Sequence, residues 1–227
     1  MAQSQQQQAA PQRISLGRWA FKKWFPVKAP MVFGGQVIAE VPAEDPGRLI
    51  GRSIEVTLYD ITRDLTHINT KLRFKITSVD SSSAYTMFNG MELTRDYVRN
   101  LIRRGSSRIM AIKDVATKDG ARLRFEVLAI TTYRCNRSHK HAIRRIIFDI
   151  LDKRGPESTF DDLVKASVMG QLSLEFFNEC KKIYPLRKVE VMKIKVLKPP
   201  EAGGAKPTEE VKVAEAAANQ QAAQAQQ

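Results

Sequence analysis

The densest chemistry-bearing stretch is 134–145, which holds Arg134, Arg137, Lys140, Arg144 and Arg145 with His139 and His141 and no acid. Cations in that number suit a polyanion: ammonium groups neutralise phosphates, and guanidinium forks grip their oxygens in pairs. The cluster spans a sheet-to-helix junction, where positive side chains oppose the helix macrodipole. An approaching phosphate would remove that conflict by using the same N-terminus. A second group is Arg95, Arg99 and Arg103, spaced i, i+4 and i+8, with Arg104 and Arg108 beside them. On a helix this spacing sets three guanidiniums along one edge, with only Asp96 as a local acid. Acids elsewhere in the fold could neutralise them, but against a phosphate backbone the ladder needs no such help. The third group is an arm, 13–30, with Arg13, Arg18, Lys22, Lys23 and Lys28, and the first acid of the chain comes only at Glu40. Trp19, Phe21, Trp24 and Phe25 interleave with these cations. Such rings stack on unpaired bases or dock on the protein's own core. Here they are expected mostly to pack while the cations face outward, with Trp24 counted among the RNA-facing candidates.

Other chemistries find little support. Cys135, His139 and His141, with the distant Cys180, invite a metal reading. A structural zinc site shows paired ligands at short spacing on both sides, and here there is one side only. Ordinary cysteines and RNA-facing histidines are expected, with no metal and no cofactor. There is no Walker-type phosphate loop and no G-x-S-x-G elbow. Glu44-Asp45 and Asp161-Asp162 fit capping and solvation better than acid–base catalysis, so no enzyme is expected.

Several elements must position these cations. From 36 to 134 the pattern is mostly period two: Ile54, Val56 and Leu58; Leu72, Phe74 and Ile76; Leu123, Phe125 and Val127 each alternate with polar residues. These read as half-buried strands. Lys118-Asp119-Gly120 turns the chain from a strand around 109–117. The spacing predicts a helix from Thr94, as N-cap, to a C-terminal Gly105. A second helix is expected from a Ser138 cap to about Arg154, with Ile143, Ile146, Ile147, Ile150 and Leu151 inward and Gly155-Pro156 ending it. Shorter helices near 158–168 and 171–183 are separated at Gly170. Leu186 to Lys198 then reads as a strand, with a bulge at Met192 to reconcile Val189 and Val191 with Ile194 and Val196. The fold class expected is α+β, an antiparallel β-barrel or sandwich followed by a smaller helix-helix-helix-strand domain. The expected division is a disordered Gln-rich 1–13, a basic-aromatic arm 14–35, a barrel 36–137 with one inserted helix, an α/β unit 138–200, and a disordered Ala/Gln/Glu-rich tail 201–227.

Composition points the same way. The 227 residues carry a net charge of +13. The first 13 residues hold one cation, and 201–227 hold four acids against two lysines, so residues 14–200 carry +14. A polyanion is the first partner such a surface suggests, a merely solvated basic surface the bland alternative. No apolar run is long enough to span a membrane, and neither a charged n-region nor an apolar h-region opens the chain. Two cysteines make no disulfide framework and fit a reducing, cytoplasmic setting.

Three strings carry a family resemblance. Phe88-Asn89-Gly90-Met91-Glu92-Leu93-Thr94-Arg95-Asp96 resembles the signature of the S-three-A family of small-subunit ribosomal proteins, the eukaryote-type S-one proteins. Lys23-Trp24-Phe25-Pro26-Val27-Lys28-Ala29-Pro30 is similar to its early motif, with Phe25 and Pro26 departing from it. Ile183-Tyr184-Pro185-Leu186 and the Lys/Val-rich strand after it resemble its C-terminal motif. The matches run from about 18 to 198, and the compact form with a short alanine-rich tail looks archaeal. The resemblance implies a non-enzymatic, ribosome-bound protein that binds 16S-type rRNA on the platform, close to the mRNA exit. It also implies neighbouring proteins such as the S-eleven type, contact with mRNA near the exit, and a β-barrel followed by a smaller helix-and-strand domain. The alternative is a free translation or RNA-chaperone factor whose barrel binds single strands. That would need aromatics on the wet face of the strands, where Lys, Arg and Thr stand and Tyr59 is the main exception.

Overall fold

The structure is a computed structural model and describes residues 22–80 and 82–200. The expected disordered ends 1–13 and 201–227 lie outside the described residues, as do Arg13, Arg18, Trp19 and Phe21 of the arm.

Among the described residues eight strands form one sheet: β1 (Lys23–Lys28), β2 (Val37–Ala43), β3 (Ser53–Thr57), β4 (Thr70–Val79), β5 (Ala84–Leu93), β6 (Arg108–Ala116), β7 (Arg122–Thr131) and β8 (Leu186–Lys198). The helices are α1 (Leu58–Thr62), α2 (Arg95–Leu101), α3 (Arg137–Glu157), α4 (Phe160–Val168) and α5 (Gln171–Lys181). The sheet runs β2-β1-β5-β8-β7-β6, with β4 on the other edge of β5 and β3 beyond it. The hub is β5. It pairs with β4 along its length, with β1 at Ala84 and Tyr85, and with β8 at Gly90–Glu92. The α+β expectation stands, but the sheet is open and mixed rather than a closed antiparallel barrel. Pairing of β1 with β5 is parallel and only two residues long, and β2 and β6 lie at opposite ends of the strand order.

Period two reads out as burial. Leu72 and Phe74 of β4, and Leu123, Phe125 and Val127 of β7, are buried in the main core with the helices, and Ile76 of β4 is buried as well. Phe33, Phe74, Phe88 and Phe160 link sheet to α4 through ring contacts of 5.6–6.5 Å. A smaller cluster of Phe25, Val27, Ala43, Leu49, Ile76 and Ala84 lies under β1 and β2. The predicted bulge is present: Glu126 faces Lys193 and Val127 faces Val191, leaving Met192 unopposed. That extra residue restores the inward parity of Ile194.

Three local expectations fail. Leu58 is buried but starts α1 instead of continuing β3, because Thr57 and Asp60 form a reciprocal capping box. Asn136, not Ser138, is the N-cap of α3, and its side chain makes no capping bond. Gly155-Pro156 does not end α3, which runs on to Glu157. A Cβ on Gly155 would clash with Val115 and come within 2.8 Å of the Ala116 carbonyl, so the bare Cα is what lets α3 lie on β6. Gly90 does the same for β8, where a Cβ would meet the Ile194 carbonyl at 2.6 Å.

Replacing Gly155 by alanine is expected to cost about 1–3 kcal/mol in urea unfolding, as overpacked sites do. Gly47, where an added Cβ would meet nothing within 4 Å, is the control and should change by less than about 0.5 kcal/mol. Equal effects at both sites would contradict the close packing of α3 on β6. Cys135 and Cys180 are both buried; burial pushes the Cys135 thiol up and the Cys180 thiol up to about 11. Neither should react with Ellman's reagent in the native protein, and both should in urea.

Candidate nucleic-acid interface

The junction 132–136 is fixed by hydrogen bonds to several elements. The Ser107 amide donates to Thr131 Oγ1 at 2.9 Å, and the Cys135 amide to Ser107 Oγ at 3.1 Å. The Thr132 amide donates to the Pro185 carbonyl at 3.1 Å, and the Tyr184 hydroxyl to the Arg134 carbonyl at 2.8 Å. These bonds set where α3 begins and therefore which way its first turns point. Arg137, His141 and Arg145 fall on one exposed face at i, i+4 and i+8, a stripe of roughly 12 Å. Arg134 and His139 are exposed beside them, the His139 ring lying 5.4 Å from Tyr184. Lys140 and Arg144 are half-buried. Arg144 turns inward, its Nε donating to the Met110 carbonyl at 2.9 Å, and so helps hold α3 on β6.

The α2 region differs from its expected form. The helix ends at Leu101, so Arg103 and Arg104 lie in the following loop and the three-arginine ladder is reduced to Arg95 and Arg99. The Ser106 hydroxyl explains the stop. It donates to the Arg103 carbonyl at 2.6 Å and accepts from the Arg103 amide at 3.3 Å, making a turn that competes with another helical turn. Repulsion between arginines at i+4 works in the same direction. Thr94 has extended cap geometry, but its hydroxyl reaches Asn69 rather than a helix amide. Arg95, Arg99, Arg103, Arg104 and Arg108 are all exposed. A ladder does exist, on α3, where residue types reveal a cluster but not its register. Placing the first residue of α3 at Arg137 would have revealed it.

In the arm, Lys23 and Trp24 are exposed, Lys22 and Lys28 half-buried, and Phe25 buried. Lys28 Nζ lies 5.5 Å from the Tyr85 ring centroid. The expectation that the rings mostly pack holds for Phe25 and fails for Trp24, which is 61% exposed. Alternation along β1 accounts for both: Phe25 and Val27 take the inner face, and Trp24 takes the outer one. Trp19 and Phe21 fall outside the described residues.

Pairing separates these cations from others. No ion pair joins Arg134, Arg137, Lys140, Arg144, Arg145, Arg95, Arg103, Arg104 or Arg108 to an acid among the described residues, and Arg99 has only Asp96, at 4.0 Å. On the outer face of the sheet around Arg73, Arg124 and Lys193 the pattern is the opposite. Arg124 binds Asp114 through two bonds of 2.6 and 2.8 Å. Arg73 pairs with Glu55 and Glu92, and Lys193 donates to Glu92 at 2.9 Å. That bond holds the Glu92 carboxyl below its usual range. Lys113 of β6 reaches Asp152 of α3 at 2.7 Å. Tyr59 sits on α1 and not on a strand, so the sheet face around Arg73, Arg124 and Lys193 offers charged pairs, and the exposed ring of Trp24 stands apart on β1.

Cys135 is beside the junction but donates its S–H toward the Asn136 carbonyl, while Cys180 sits in the core near the Ile143 carbonyl. Among the described residues no three His, Cys, Asp or Glu side chains gather as a metal site. No described helix is long and apolar enough to cross a membrane.

Residues 11–200 match the ribosomal S3Ae family. The chain is 48% identical over 205 residues to small ribosomal subunit protein eS1 of Pyrobaculum islandicum, covering 88% of this chain and 92% of that protein. It is 49% identical over 190 residues to the protein of the same name in Desulfurococcus amylolyticus, covering 84% and 89%. With that of Sulfurisphaera tokodaii it shares 50% identity over 183 residues, 81% of this chain and 95% of the relative. The match spans the sheet, the α2 loop and the α3 junction together, and the chain belongs to the ribosomal S3Ae family.

Proposed function

We propose that this protein is a structural, non-catalytic constituent of the small ribosomal subunit that holds small-subunit rRNA through the unpaired cations of its α3 junction and α2 loop, together with its basic arm. The observation that carries this reading is the contrast in pairing: Arg134, Arg137, Lys140 and Arg145 have no acid partner among the described residues, whereas Arg73, Arg124 and Lys193 are neutralised in place. Like charges held together on a rigid helix face cost stability, and a phosphate backbone turns that cost into attraction. The family relatives, named as small-subunit proteins, support the same assignment. In this reading the protein works in the cytoplasm, bound to the ribosome. Its seat is the platform near the mRNA exit, with the S-eleven type of protein as a neighbour and mRNA passing close by. A free single-strand-binding factor is disfavoured by the charged pairs around Arg73, Arg124 and Lys193, where no row of exposed rings stands among the described residues.

Binding of the isolated protein to 16S-type rRNA should fall steeply with salt. Changing Arg137, Lys140 and Arg145 together to glutamate should reduce the slope of log affinity against log salt by about 2 to 3, near one per lost phosphate contact. The variant should keep its fold, because none of the three is buried or ion-paired among the described residues. It should also fail to enter small subunits in cells. An unchanged slope and normal incorporation would overturn the choice of main patch. Arg144 is left out of this set because its reversal would also break the bond to Met110.

A further inference from the structure

Beside α2 lies a hollow of about 290 Å³, near the lower end of the size range that holds small ligands. Leu93, Val98 and Met192 form its floor, and Arg95, Arg99 and Arg108 its rim. Two features set it apart from the rest of the basic surface. The floor is apolar because the bulge in β8 leaves Met192 without an opposing residue on β7. The rim is cationic and only weakly compensated. Arg95 and Arg108 have no ion-pair partner among the described residues, and Arg99 reaches only Asp96, both of them 80% or more exposed. Glu92 and Lys193 also border the hollow; Glu92 accepts from Lys193 at 2.9 Å, pairs with Arg73 and acts at longer range on Arg95.

A free phosphate would use the rim and leave the floor wet. A continuous duplex would touch the rim with its backbone and keep its bases stacked away from the floor. One extruded nucleotide uses both, since its base has two apolar faces and its flanking phosphates carry charge. Guanidinium planes stack on such bases as well as binding phosphates, so one arginine can cover the base while its neighbours hold the backbone.

We propose that this hollow receives a single unpaired nucleotide of RNA, its base on Leu93, Val98 and Met192 and its flanking phosphates on Arg95, Arg99 and Arg108. The assignment rests on the RNA-binding reading above and narrows it: the α2 loop recognises a bulge or extruded base, while the α3 stripe follows backbone.

The test uses the full chain and two fluorescent RNA hairpins with the same stem, one fully paired and one with a single bulged uridine. The wild type should bind the bulged hairpin about ten-fold more tightly, the scale of one stacked base. Val98→Trp fills the hollow without changing charge and should remove that preference while leaving affinity for the paired hairpin unchanged. Met192→Ala, which strips the floor at a half-buried position, should reduce the preference too, so the test does not hang on one substitution folding. Arg99→Glu should weaken both RNAs. Equal, salt-sensitive affinity for the two hairpins would overturn the hollow and leave the RNA-binding reading standing. Absence of binding to either would overturn both. A preference that survives both floor variants would place the base elsewhere. Displacement of the bulged hairpin by an acidic, leucine-bearing peptide at lower concentration than by free bulged RNA would assign the hollow to a protein partner instead.

Discussion

Pairing of β8 with β7 from Leu186 to Lys198, and with β5 at Gly90–Glu92, brings the end of the described chain back into the middle of the sheet. Everything between Thr131 and Leu186 must therefore leave the sheet and return to the adjacent position. The three helices do this on the inner face, burying Ile143, Ile147, Leu151, Leu163 and Phe176 against β6, β7 and β8. The contact is also long in sequence: the Lys193–Glu92 bond joins residues 101 apart. Gly90 is what admits it, since any side chain there would strike the β8 backbone. With β8 in place the junction 132–136 is caught between the end of β7 and Pro185, and the direction of α3 is settled.

Charge is then distributed by two different rules. At several places on the outer sheet face, cross-strand neighbours are opposite in sign, as in Glu55–Arg73 and Asp114–Arg124, although Arg124 also faces Lys195 of β8. Exposed pairs of this kind contribute about 0–1 kcal/mol each, so their larger effect is to cancel the local field. On the exposed stripe of α3, acids are absent until Asp149, one turn beyond Arg145. The unpaired cations of 134–145 and 95–108 thereby stand on loops and helix starts that the core positions. Preorganised cations lose little freedom on meeting phosphate, which favours tight and oriented contact over diffuse attraction.

The legible and illegible parts of this arrangement divide along physical lines. Strands with one wet face announce themselves by period two, and the shift of parity along Val189–Val196 locates the Met192 bulge from residue types alone. The cationic segments are legible for the same reason. Register is not. Whether Asn136 or Ser138 caps α3 depends on hydrogen bonds accepted by Ser107 and Pro185, residues distant in sequence, and so the Arg137–His141–Arg145 stripe stays hidden while a ladder is expected on α2. Gly155 reads as a terminator because its reason for being glycine, the closeness of β6, is tertiary. Arg144 looks like its neighbours and is instead held at a backbone carbonyl. The open sheet is hidden for a similar reason: the short parallel pairing of β1 with β5 has no signature in either strand alone.

In the proposed reading, unpaired cations, and not the total positive charge, mark where RNA lies on this protein. Ultraviolet cross-linking of purified small subunits, with peptides mapped by mass spectrometry, tests that claim most directly. Cross-links are expected in 134–145, in 95–108 and at Trp24, with few on the outer sheet face around Arg73, Arg124 and Lys193. Cross-links concentrated on that neutralised face, with 134–145 silent, would contradict it.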